Sequence, residues 1–94
     1  MVHETEGRVD GFVIARIVPS PPVYAPGGPT CSIDDFVAPW PAPGNDLLEA
    51  AIAWAKEQGA AQVVVVTAEK DEAKRAMLAE SDLSIASEWW TKPI

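Results

Sequence analysis

A 94-residue chain with seven Lys and Arg against fourteen Asp and Glu, net charge −7, lacks the cationic footprint that nucleic acid or an anionic membrane requires. This length suits a single domain, 1–94, that buries only about two-thirds of its unfolded surface, yet 48% of the residues are hydrophobic and four are Trp, so some apolar surface is expected against another chain. Lone Cys31 and lone His3 exclude an internal disulfide and a zinc-type ligand spacing, and without a leader-like segment or a run near the roughly 18 apolar residues of a membrane span, a soluble, reducing, cytoplasmic setting is expected.

Residues 1–8 are polar and are expected to be loose. "DGFVIARIV", Asp10 to Val18, is dense in β-branched and aromatic residues and predicts a strand. Pro19 to Pro29 holds five prolines and two glycines, which forbids a helix or a central strand and predicts a long hairpin loop. "CSIDDFVA", Cys31 to Ala38, predicts the antiparallel partner strand, with Cys31, Ile33, Asp35 and Val37 on one face and Ser32, Asp34 and Phe36 on the other.

From Asn45 the period changes. Leu47, Leu48, Ala51, Ile52, Trp54 and Ala55 form a helical stripe, with Asn45 as the expected N-cap, Asp46 and Glu49 in the first turn, and Gly59 as the C′ stop. "QVVVVT", Gln62 to Thr67, is an unbroken β-branched run and is expected at the centre of the sheet. A second helix over roughly Asp71 to Glu80 and a last strand in "LSIASEWWT" complete the order β-β-α-β-α-β, an α/β (α+β) body with a mixed sheet. In such a crossover the start of the first helix lies beside the carboxyl ends of the strands, where ligands bind.

The order of elements and several residues resemble the C-terminal half of the GNAT superfamily of N-acetyltransferases. The carriers are "FVAP" ending a strand, Gly44 before Asn45, Leu47-Leu48 in the following helix, and "DEAKRAMLAESDL", Asp71 to Leu83, which fits the family's second helix without a gap. The likeness covers about residues 10 to 90 and corresponds to the second half of a family domain. It implies a GNAT-like half domain that takes acetyl-CoA and acetylates an amine, with the pantetheine arm along the strand edge at Phe36 and Val37 and the pyrophosphate on the backbone of Gly44, Asn45 and Asp46.

Two features of the resemblance depart from the family's chemistry. Pro41 and Pro43 carry no N–H, and each donor to a charged oxygen contributes about 1.5–3 kcal/mol; Asp46 also puts a negative charge beside the expected phosphate. The tyrosine that the family uses to protonate the leaving thiolate is replaced by Leu78, a hydrocarbon; Tyr24, in the proline-rich loop, is the sole phenol in the chain and reads as a packing or interface residue. Asp34 and Asp35 are the candidate general bases, with Glu88 behind them, and Lys74 and Arg75 are candidates to reach CoA phosphates from the second helix. Cys31 has no histidine partner and reads as a small core residue. Trp89 and Trp90 on the last strand must point to opposite faces, so one faces outward, and a homodimer through that strand is expected. The competing reading is a non-catalytic GNAT-like module that dimerises or senses a CoA ligand.

Overall fold

The chain's computed structural model describes residues 1–19, 27–39, 42–88 and 90–94; Tyr24, Trp40, Pro41 and Trp89 lie outside the described residues. The order is β1 (Val2–Thr5), β2 (Arg8–Val18), β3 (Thr30–Val37), α1 (Ala42–Glu57), β4 (Gln62–Val65) and α2 (Glu72–Glu80). The sheet runs β1-β2-β3-β4, antiparallel at the first two junctions and parallel between β3 and β4. The fold is therefore α+β with a mixed four-stranded sheet and two helices, as expected, but with a strand gained at the front of the order and the strand expected over "LSIASEWWT" missing from the described residues.

The expectation that residues 1–8 are loose is overturned. Glu6 and Gly7 both adopt positive φ, 52° and 79°, the two-residue turn whose twist matches that of the flanking strands. The hairpin so formed pairs Thr5 with Arg8 and Val2 with Phe12, and Met1 exchanges both of its backbone hydrogen bonds with Val13, at 3.0 and 3.1 Å. The polar composition hid the strand because its side chains are mostly exposed.

Facing on β3 also differs from simple alternation. Asp35 pairs with Ile14 and Ile33 with Ala15, so Asp34 is an extra residue opposite one step of β2, a β-bulge that flips the parity beyond it. Cys31 and Ile33 are buried, and so are Phe36 and Ala38, whereas Asp34, Asp35 and Val37 are exposed. Phe36 thus shares the buried face of Cys31 and Ile33, on which Asp35 and Val37 were expected.

Helix α1 starts three residues before Asn45. Proline fixes a helical φ and needs no N–H in a first turn, so Pro43 fits inside the helix and Asn45 is not its cap. Gly59, at φ 81°, ends it as expected. Leu47, Leu48, Ala51 and Ala55 press onto one face of the sheet with Met77 and Leu78 of α2, and the opposite face carries exposed Val2, Phe12, Ile14 and Val37. Of these, Val2, Phe12 and Val37 lie abreast across three strands. Strand β4 is at the sheet's edge rather than its centre, with all four residues half-buried; its β-branched run reflects parallel pairing with β3 and cover from α1, not a strand on either side.

Candidate functional site

Parallel pairing of β3 and β4 runs from Thr30 and Gln62 to Ile33 and Val65. There β4 ends, while β3 continues through Asp34–Val37 paired only with β2. That step at the carboxyl edge of the sheet is where open α/β sheets form ligand clefts, and both helices begin on that side. Such clefts hold ligands because backbone groups past the last strand pair need partners and helix N-termini bring partial positive charge. Two residues beyond β4, Thr67 Oγ1 is a buried hydroxyl with no hydrogen-bond partner. Native structures seldom leave such a group unsatisfied, so the carboxyl end of β4 has unused bonding capacity.

Of the two candidate carboxylates, Asp34 is committed on the surface: Arg16 Nε donates to Oδ2 at 2.8 Å and Ser32 Oγ to Oδ1 at 3.0 Å. Asp35 is exposed and close enough to Lys74 to act electrostatically on its ammonium. The ring of Phe36 is buried, and its carbonyl accepts a buried hydrogen bond from Lys74 Nζ at 3.2 Å. The same ammonium stands over the Phe36 ring, 5.3 Å from its centroid. Val37 is exposed on the sheet's open face.

Lys74 belongs to the first turn of α2, whose cap Asp71 accepts the Lys74 backbone N–H at 3.2 Å. It is 7% exposed. Burial pushes its pKa below the usual lysine value, while the carboxylates of Asp71 and Asp35 pull it back up. The sequence reading gave Lys74 a phosphate role and missed this inward position. The signal was the spacing of Lys74, Met77 and Leu78 at i, i+3 and i+4, a buried stripe with one cation in it. Arg75 points elsewhere and donates to the Glu69 carbonyl at 3.2 Å. Leu78 is a core residue, Glu88 is exposed, and the fully buried Cys31 thiol has its pKa raised by desolvation and then by Asp34, so it is no nucleophile.

At the other wall of the cleft, the turn into α1 offers fewer donors than its position suggests. The Gly44 N–H already donates to the Pro39 carbonyl at 3.3 Å, Pro43 has none, and Asn45 and Asp46 lie far enough into the helix for their amides to close intrahelical bonds. Asp46 is instead engaged by a side chain. His3 reaches Asp10 Oδ1 through Nδ1 at 2.6 Å and Asp46 Oδ2 through Nε2 at 3.1 Å, and Thr5 Oγ1 donates to Asp10 Oδ2 at 2.7 Å. Hydrogen bonds to Asp10 and then Asp46 raise the His3 pKa, and those from Thr5 and then His3 lower that of Asp10. A terminal histidine that spacing dismissed as a ligand thus ties β1 and β2 to the start of α1. An open concavity of about 450 Å³ lined by Thr5, Glu6, Arg8, Asp10 and Pro39 lies beside this tie.

A mixed four-stranded sheet with two helices is a fold that this chain shares with solved GNAT acetyltransferases. The structure of AAC(6')-Iy in complex with the bisubstrate analogue CoA-S-monomethyl-acetylneamine matches with a TM-score of 0.80 and 14% identity, over 99% of this chain and 67% of that one. A protein of Pyrococcus furiosus named as a candidate acetyl transferase matches at 0.77 and 24%, over 94% and 59%. Ribosomal-protein-alanine N-acetyltransferase from Brucella melitensis biovar Abortus 2308 matches at 0.71 and 20%, over 99% and 67%. The chain thus spans about three-fifths to two-thirds of their length, and at these identities the likeness is one of fold. No family model and no curated protein matches the sequence. Among the described residues no helix is long and apolar enough to cross a membrane, and no cluster of His, Cys, Asp or Glu could hold a metal ion.

Proposed function

We propose that this chain is the acyl-donor half of a GNAT-type N-acetyltransferase, which binds acetyl-CoA at the β3–β4 cleft and passes its acetyl group slowly to an amine. One observation carries the reading. Parallel pairing stops after Ile33 and Val65, beyond which Asp35, the Phe36 carbonyl and Lys74 come together, and Thr67 Oγ1, two residues past β4, has no partner. Phe36 and Val37 supply the strand edge for the pantetheine arm, and Asp35 takes the proton of the incoming amine. Asp34, held by Arg16 and Ser32, is the lesser base.

The residues fit the acyl end better than the pyrophosphate end. Gly44, Asn45 and Asp46 bring a helix start and a carboxylate held by His3, but two prolines and a committed Gly44 amide remove donors, each contributing about 1.5–3 kcal/mol to a charged acceptor. Binding is therefore expected to be weaker than a full set of donors would give. The same depletion favours the second reading, a non-catalytic GNAT-like module. Thermal denaturation with acetyl-CoA and with CoA tests both. With ligand at ten times its Kd the gain is about 1.4 kcal/mol, so the midpoint should rise by roughly 6–11 °C. No rise at millimolar ligand sinks the enzyme and the CoA-sensing module together, and a rise without acetyl loss to any of a panel of amines leaves the module.

The reading includes a cytoplasmic setting, suited to the free thiol of Cys31, and a homodimer through the C-terminal segment. Ile85, Trp90 and Ile94 are exposed, by 70%, 88% and 118%. The radius of gyration, 14.0 Å, exceeds the roughly 12 Å of a compact chain of this length, in line with a segment that stands off the body. Strand β4 ends the sheet order and offers its free edge to the partner's segment. Light scattering on size-exclusion fractions should give twice the 10.0 kDa chain mass, and Trp90→Glu should halve it; a wild-type monomer at micromolar concentration removes the dimer.

A further inference from the structure

Acyl transfer from a thioester needs a proton for the departing sulfur, and the position that the family resemblance assigns to this task holds Leu78, buried hydrocarbon. One helical turn earlier on the same buried face is Lys74, like Thr30 a buried polar residue. Its Nζ is held at the stretch of β3 that has left β4, by the Phe36 carbonyl at 3.2 Å and the Phe36 ring at 5.3 Å. We propose that Lys74 Nζ is the general acid of the β3–β4 cleft, the group that hands a proton to the leaving sulfur.

This inference rests on the acyl-donor reading above. The chemistry balances without another reactant: as the thioester C–S bond breaks and the N–C bond forms, the acceptor amine loses one proton and the thiol gains one. Lys74 gives the second and recovers the first through solvent. Burial suits it to the task, because it brings an ammonium acid strength closer to that of a thiol, while Asp35 on β3 and Asp71 at the cap keep it protonated before transfer. The Phe36 carbonyl accepts from Nζ and holds the ammonium in place without taking the proton. A lysine that only sealed that carbonyl would need the same hydrogen bond, so the test must read the sulfur.

CoA itself is the probe, titrated by thiolate absorbance on the protein, with the protein alone subtracted to remove Cys31. Bound to the wild-type chain, the CoA thiol should ionise about one pH unit below its free value, which is near 8.5 for an ordinary thiol. In Lys74→Met and in Lys74→Gln, which retains a donor for the Phe36 carbonyl, the thiol should return to the free value or above while CoA still raises the melting temperature. Equal titration in wild type and variants, with the thermal rise intact, overturns the assignment and leaves Lys74 a seal. If CoA produces no thermal rise on wild type, the acyl-donor reading fails and the assignment falls with it. If neither variant folds, the wild-type comparison with free CoA decides, and an unshifted thiol overturns the proposal.

Discussion

Replacing Ile33 by alanine should lower stability by about 2–5 kcal/mol, the range for emptying a fully packed aliphatic site. Ile33 is 1% exposed and is the last β3 residue paired with β4 before the cleft opens. Its side chain belongs to the cluster that Leu48 of α1 and Met77 of α2 complete, so the cavity would sit under both helices and under the site itself. A domain of this length holds only about 5–14 kcal/mol in total, so the variant would be near the limit of folding. With a urea slope of about 1.5 kcal/mol per molar, the midpoint should fall by roughly 1–3 M, against a third of that or less for Ile33→Val and almost none for exposed Ile85→Ala. A loss below about 1 kcal/mol would show that the cluster is not the core of the fold.

How much of this could be read from residues alone depended on whether local pattern or long-range pairing decided each feature. The helix stripe through Leu47, Leu48, Ala51 and Ala55 was legible because a period of 3.6 needs no knowledge of the partner. The parallel strand at Gln62 was legible as a strand but not as an edge, since burial by α1 and by a neighbour leaves the same β-branched signature. Strand β1 was missed because its evidence is a turn, Glu6-Gly7, whose positive φ at a glutamate no composition rule anticipates. The bulge at Asp34 was invisible for a deeper reason. A two-against-one mismatch between strands exists only once both are paired, yet it decides that Phe36 and not Asp35 enters the core.

The candidate site divides in the same way. Its position at a strand-to-helix junction followed from chain order, and the shortage of donors at Pro41 and Pro43 followed from proline chemistry. That Gly44 spends its amide on the Pro39 carbonyl is a contact across 5 residues that only the turn's geometry reveals, and the ties of Asp34 to Arg16 and of His3 to Asp46 span 18 and 43 residues, which no local window contains. Lys74 was misread because a lysine is usually placed outward on a helix; its inward turn is set by the Phe36 carbonyl, which is available only because β4 stops at Val65.

Gly11→Ala should be the most informative change for the cleft, because it acts on the seating of α1 and on the Val37 backbone without replacing a candidate residue. A Cβ at Gly11 would stand 2.8 Å from Ala38 Cβ and 3.0 Å from both Leu47 Cδ1 and the Val37 carbonyl oxygen. Leu47 can rotate, but the carbonyl belongs to the last residue of β3 and can yield only by moving the strand into the turn. Overpacking of this kind costs about 1–3 kcal/mol, and here the relief must shift the segment from Val37 to Gly44 that carries α1. A second change, Ala38→Gly, removes the 2.8 Å contact and leaves the two at 3.0 Å, so Gly11→Ala/Ala38→Gly should recover part of the loss in a double-mutant cycle, beyond the separate cost of the new glycine. Thermal melts of the four proteins check this. A Gly11→Ala protein as stable as wild type would mean that β2 and the β3–α1 turn are not in contact, and would remove the packing on which the geometry of the cleft depends.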